Sequence, residues 1–235
     1  MRARFFALFA SAALAALAIP LALPAQQASA APCPDVEAVF ARGTSEPPGL
    51  GVTGTAFVEA LRLQAVGKSV GSYAVNYDAS NDFNNRIGLA ASVLNGVRDA
   101  QAHLDFMAAA CPGTKIVLGG YSQGAVVAGY ATMPGVPPGF PPEYAFAFPA
   151  PLPPFVADKV AAVVFYARPS DRFMRDVGAP PVTVGPSFVG KTLDNCIPLD
   201  NICDGAPVGQ PGPLHALYAV NGMAVTGAGW AVSRL

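Results

Sequence analysis

The stretch Lys115-Ile116-Val117-Leu118-Gly119-Gly120-Tyr121-Ser122-Gln123-Gly124-Ala125-Val126-Val127-Ala128-Gly129-Tyr130 decides the fold. Residues 115–120 form a short apolar run of strand length, and residues 125–130 are apolar all round, the pattern of a buried helix. Between them, Gly120-x-Ser122-x-Gly124 leaves room only for a sharp turn. A serine raised on such a turn needs neighbours without bulky side chains, and Gly120 and Gly124 meet that need. Out of this setting the pentapeptide would be a glycine-rich turn with an ordinary serine; within it, Ser122 is a candidate nucleophile.

Working outward, residues 36–41 predict a first buried strand that runs into the turn Arg42-Gly43-Thr44-Ser45-Glu46-Pro47. A helix is expected over 53–66, a second strand over 72–77, and a long helix over 82–110 stopped by Pro112-Gly113. Downstream, 160–166 reads as a fourth strand, 191–193 as a fifth, and 213–231 as a closing helix. Prolines recur through 133–154, so neither a helix nor a ladder strand is expected there. That segment carries Phe140, Tyr144, Phe146 and Phe148, and is either a surface loop whose aromatics pack on the body or a semi-rigid flap beside the active site that helps hold an acyl chain. Strands alternating with helices predict an α/β fold of α/β-hydrolase type, a mostly parallel sheet flanked by helices on both faces.

A serine hydroxyl needs a base to take its proton, and in this class the base is a histidine oriented by a carboxylate. The chain has two histidines. His103 falls inside the long helical pattern and reads as a partly exposed helix residue. His215 lies downstream of Ser122, and the chain order Ser, acid, His selects it. Glu143, Asp158, Asp171, Asp176, Asp194, Asp200 and Asp204 all fall between the two. Asp200 is favoured because a Cys196–Cys203 bridge would pin its loop, while Asp194 and Asp204 remain alternatives. The oxyanion of the intermediate needs donors. The N–H of Gln123 is one candidate and the Gly43-Thr44 turn offers others, including the Thr44 hydroxyl; simple turn chemistry is the competing reading for Thr44 and Ser45.

Arg2, Arg4, the apolar run from Phe5 to Leu23 and Ala28-Ser29-Ala30 have the form of an export signal over residues 1–30; an uncleaved anchor is the competing reading. Residues 31–235 then form a single domain, expected to be secreted and monomeric. Net charge is −1 with 12% charged residues, which leaves no basic footprint for nucleic acid, and the mild, apolar composition suits contact with a lipid surface. Cys33, Cys111, Cys196 and Cys203 are an even set in an exported chain, so two disulfides are expected. Of three possible connectivities, a local Cys196–Cys203 bridge that leaves Cys33 to Cys111 is natural. A zinc site is disfavoured, since there is no Cys-x-x-Cys pair and histidine is scarce.

Gly120-Tyr121-Ser122-Gln123-Gly124-Ala125, Ala41-Arg42-Gly43-Thr44-Ser45-Glu46, Cys196-x-x-x-Asp200-x-x-Cys203 and His215-Ala216-Leu217-Tyr218 together resemble the cutinase family. The actinobacterial cutinase-like proteins are similar also in Tyr73-Ala74-Val75-Asn76-Tyr77 and Val156-Ala157-Asp158-Lys159-Val160. The resemblance implies a five-stranded parallel sheet, Ser122, Asp200 and His215 as triad, Thr44 and Gln123 as oxyanion hole, bridges Cys33–Cys111 and Cys196–Cys203, and hydrolysis of short- to medium-chain carboxylic esters or lipid esters without cofactors. Departures are local. Thr44-Ser45 stands where fungal cutinases have Ser-Thr, and the proline-rich stretch is longer than theirs, which leaves substrate size open. Phospholipase A, thioesterase or acyltransferase action on envelope lipids would use the same triad, and a non-catalytic binding protein is the rival from another class.

Overall fold

The computed structural model describes residues 32–235; the expected export signal over 1–30 lies outside them. Five strands, β1 (Val36–Ala41), β2 (Val70–Ala74), β3 (Lys115–Tyr121), β4 (Val160–Tyr166) and β5 (Thr192–Asn195), form one parallel sheet in the order β2-β1-β3-β4-β5. β1 and the middle of β3 and β4 are buried, which is why they read as continuous apolar runs rather than as alternation.

Helices cover both faces. α2 (Arg86–Ala110) and α3 (Gln123–Ala131) pack in one apolar cluster with Leu118, Val163 and Phe165. On the opposite face α1 (Gly51–Gln64) and α6 (Met223–Val232) pack with Phe40, Val164 and Tyr166. Two short helices, α4 (Pro154–Ala157) and α5 (Asp171–Asp176), flank β4 in sequence. The strand order reverses direction between β1 and β3, where Ala41 stands beside Gly120 in register. In open α/β sheets, ligand sites form beyond the carboxyl ends of strands at such a switch point.

Three expectations need correction. The second strand is Val70–Ala74 rather than 72–77: Val75 N–H still bonds Phe40 O, but Tyr77 has left the ladder and its hydroxyl donates to Arg42 O. The closing helix over 213–231 is two pieces. Pro213–Ala216 makes a 3-10 turn, and Gly222, at φ 91°, separates it from α6. The proline-rich segment also holds a 3-10 turn, Pro142–Ala147; a structure so short, opened by proline at its first position, needs few of the bonds that proline cannot make.

Candidate active site

Ser122 begins where β3 ends, and its own N–H donates to Tyr166 O at 2.9 Å. Its backbone, at φ 54° and ψ −118°, is strained for a residue with a side chain, and the surrounding elements hold it there. The flanking glycines are required by contact. A Cβ on Gly120 would run into the backbone of Gly124, and one on Gly124 into the carbonyls of Ala41 and Arg42. The turn therefore presses α3 against the end of β1.

The 3-10 turn after Gly212 carries His215, whose Nε2 is 2.9 Å from Ser122 Oγ. Its Nδ1 faces Asp200, 2.9 Å from Oδ2 and 3.1 Å from Oδ1. A carboxylate opposite Nδ1 requires the ring hydrogen there, which leaves the Nε2 lone pair for the serine proton. Asp200 is 1% exposed and His215 6%. Burial opposes ionisation of Asp200, but hydrogen bonds from His215 and Tyr218, the attraction of the imidazole and the Ile202 N–H outweigh it, and the carboxyl lies below the usual aspartate value. Asp194 is paired instead with Arg168 at 2.7 Å, and Asp204 accepts from Ala206 N–H.

Two tyrosines brace this pair. Tyr218, fully buried, donates to Asp200 Oδ2 at 2.7 Å while accepting from Ile197 N–H at 2.9 Å. Tyr121 donates to the carbonyl of His215 at 2.6 Å, and its ring lies 5.1 Å from the imidazole. Burial pushes both phenols well above the ordinary tyrosine value, so both remain donors. The disulfides Cys33–Cys111 and Cys196–Cys203 are both formed, the second closing the Asp200 loop.

Thr44, Ser45, Ser122, Gln123 and His215 line one cavity of about 1120 Å³. The turn after β1 is held by Glu46, whose carboxylate accepts the N–H of Gly43 at 2.6 Å and of Val52, in the first turn of α1, at 2.7 Å. Gln123 is the first residue of α3, so its N–H has no acceptor within the helix. Its side chain donates to Ser80 O at 2.9 Å. His103 does not line this cavity; it bonds Glu37 at 2.9 Å and stacks on Tyr73. Sequence reasoning gave no role to Glu46, Tyr121 or Tyr218. Each stands inside a quoted motif, but nothing in the order of residues tells which acceptor a side chain will reach.

The family model for cutinase matches residues 32–235. The chain belongs to the cutinase family. Among its relatives is the probable carboxylesterase Culp7 of Mycobacterium tuberculosis, 51% identical over 174 residues, 73% of this chain and 88% of that one. Carboxylesterase Culp1 of Mycobacterium bovis is 42% identical, covering 88% and 85%. Phospholipase Culp4 of M. tuberculosis is 41% identical, covering 96% and 89%. Among solved structures, the cutinase of Trichoderma reesei in complex with a phosphonate inhibitor superposes with TM-score 0.61 at 27% identity, covering 86% of this chain and 77% of that one. The acetyl xylan esterase core of the same fungus gives 0.67 at 26%, covering 87% and 100%. The cutinase fold is therefore common to enzymes named for quite different esters.

Proposed function

We propose that this cutinase-family chain is a carboxylic ester hydrolase acting through an acyl-enzyme on Ser122. The observation that carries the reading is the unbroken chain Ser122 Oγ, His215, Asp200, with 2.9 Å at each joint. His215 takes the serine proton as Oγ attacks the ester carbonyl, and Asp200 stabilises the imidazolium that results. The N–H of Gln123 and the Thr44 turn receive the oxyanion. Collapse of the intermediate sends the alcohol out with the proton from His215. Water then repeats the sequence and releases the acid. Relatives named as carboxylesterases support the ester as substrate class.

Ser122→Ala should lower hydrolysis of p-nitrophenyl butyrate by on the order of 10⁴-fold or more, leaving only what binding and oxyanion donors contribute. Turnover near that of the wild type, in a protein with an unchanged melting temperature, would remove Ser122 as nucleophile.

A lipid ester is the second reading, supported by a relative named as a phospholipase and by the size of the cavity. Thioester hydrolysis or acyl transfer would use the same acyl-enzyme. Two disulfides and the form of residues 1–30 support export, with 31–235 as the single mature domain. Among the described residues no helix is long and apolar enough to cross a membrane.

A further inference from the structure

Arg42 is a cation in the interior. It is 3% exposed and, among the described residues, forms no ion pair. A guanidinium loses water on burial and stays only where its donors are well placed. Here Nε donates to Glu46 O at 2.7 Å, Nη2 donates to Tyr77 O, and the group lies 5.0 Å from the centre of the Tyr77 ring. Tyr77 answers in the other direction, its hydroxyl donating to Arg42 O at 2.5 Å. Burial pushes that phenol well above the ordinary tyrosine value, so it stays a donor. Neither side chain lines the cavity that holds Ser122, so neither touches a substrate there.

What the pair holds is the turn that carries Thr44. The Arg42–Gly43 peptide is fixed at both ends, its carbonyl by Tyr77 and its N–H by the Glu46 carboxylate at 2.6 Å. The Gly43–Thr44 peptide is fixed at its carbonyl, which accepts from Glu46 N–H at 3.2 Å. The Thr44–Ser45 peptide is fixed at its N–H, which donates to Ala79 O at 2.8 Å. Of the N–H groups from Gly43 to Glu46, only that of Thr44 has no acceptor among the described residues. Ser45, at φ 62°, and Ala79, at φ 51°, both lie in the left-handed region, which residues with side chains hold only under such constraint.

The loop that supplies Tyr77 and Ala79 also reaches Gln123, the other oxyanion donor. Ser80 O accepts from Gln123 Nε2 at 2.9 Å, and Ser80 N–H donates to Ser92 Oγ on α2 at 3.3 Å. Tyr77 packs on Gly96 of α2, where a Cβ would lie 3.0 Å from its ring. The Arg42 carbonyl that takes the Tyr77 hydroxyl also faces Gly124, where a Cβ would lie 2.4 Å from it. Residues 77–80 are therefore bonded to the Thr44 turn on one side and to the first residue of α3 on the other. Oxyanion donors work only when they converge on the place the oxyanion will occupy. This loop ties the two donors together.

We propose that Tyr77, clamped by Arg42, is a positioning residue for the reaction: through residues 77–80 it sets the spacing between the Thr44 N–H and the Gln123 N–H. The proposal rests on the esterase reading above and on its oxyanion donors. Tyr77→Phe keeps the ring and removes one hydroxyl. On p-nitrophenyl butyrate, kcat per active site titrated with a fluorophosphonate should fall about tenfold, a part of the roughly 10²–10³ that a missing donor costs. KM should stay within about twofold, because a ground-state carbonyl draws less on the donors than an oxyanion does. Trifluoromethyl propyl ketone gives the second readout. Ser122 Oγ adds to its carbonyl carbon, the serine proton passes to His215, and the carbonyl oxygen becomes an oxyanion facing the same donors. Its Ki should rise by the factor by which kcat/KM falls. Tyr73→Phe removes a hydroxyl bonded to Asp99 at 3.0 Å, in a residue that does not line the cavity, and should leave kcat and Ki within about twofold of the wild type. Wild-type kcat and Ki in Tyr77→Phe, a loss of kcat with Ki unchanged, or an equal change of both in Tyr73→Phe would overturn the positioning role while leaving the esterase in place. A wild type that does not hydrolyse the ester would overturn the esterase reading, and the positioning role with it.

Discussion

Two irregular segments border the cavity that holds Ser122, and they are held in opposite ways. In the Asp200–Tyr218 region the acid is held from several sides: Asp200 accepts from His215, Tyr218 and Ile202, and a disulfide closes its loop. The 133–154 flap is held by one exposed guanidinium and a few aromatic contacts, and Phe146 remains 87% exposed. Proton transfer fails when a hydrogen bond is off by a fraction of an ångström, whereas an apolar chain asks only for non-directional surface. Rigidity is concentrated where direction matters.

The largest break in that contrast comes from the acid. Asp200→Asn should lower kcat on a short ester by on the order of 10⁴, because the amide presents His215 with the wrong tautomer partner. Asp194→Asn and Asp204→Asn, which touch Arg168 and a local turn, should stay within about threefold of the wild type. The reverse ranking in steady-state kinetics would move the acid elsewhere.

Much of this frame is legible in the sequence, and the illegible part has a physical cause. Strand β3, the Ser122 turn and α3 are local, since one apolar run, two small residues and a second apolar run leave one arrangement. His215 followed from scarcity. The choice of Asp200 over its neighbours did not follow from spacing, because it depends on a tyrosine reached only after the chain has turned back from β5. The flap was misjudged in part for a related reason. Proline density argues against long hydrogen-bonded structure, but a six-residue 3-10 turn escapes that argument, and its anchor, Arg98, sits on a distant helix.

The two bridges sharpen the contrast by crossing stability with activity. In the chain-entropy model, a loop of the Cys33–Cys111 separation, 78 residues, contributes about 4.5 kcal/mol and one of the Cys196–Cys203 separation, 7 residues, about 2.4 kcal/mol. Cys33→Ser with Cys111→Ser should therefore lose more in denaturant unfolding and less in kcat/KM per folded molecule. Cys196→Ser with Cys203→Ser should show the opposite order. Equal activity in both double variants would mean that the Asp200 loop does not need its staple.

Tyr218→Phe comes next. It removes a donor from a buried carboxylate and should cost about 1–3 kcal/mol of stability and about tenfold in kcat. The sign with pH follows from the lowered Asp200 value. The stability that ionised Asp200 contributes is present above the ordinary carboxyl value of 3.8 and is lost as pH falls through its depressed folded value. The melting-temperature gap between the wild type and Asp200→Asn should thus narrow below pH 3.8, and less steeply on a Tyr218→Phe background. A gap that stays constant to pH 3 would mean that the carboxylate is not held by these bonds.

The smallest effect belongs to the flap. Arg98 is exposed and its acceptors are a carbonyl and an amide near water, so Arg98→Ala should cost about 0.5–1 kcal/mol, a shift of about 1–4 °C in melting temperature for a domain of this size. That is less than for Tyr218→Phe. The comparison of the two segments depends on this separation. If Arg98→Ala destabilised the fold as much as Tyr218→Phe does, the flap would be a part of the core that happens to border the cavity. A loss well below that of Tyr218→Phe is what a segment pinned at few, solvent-facing points predicts, because water replaces much of what such a bond supplies.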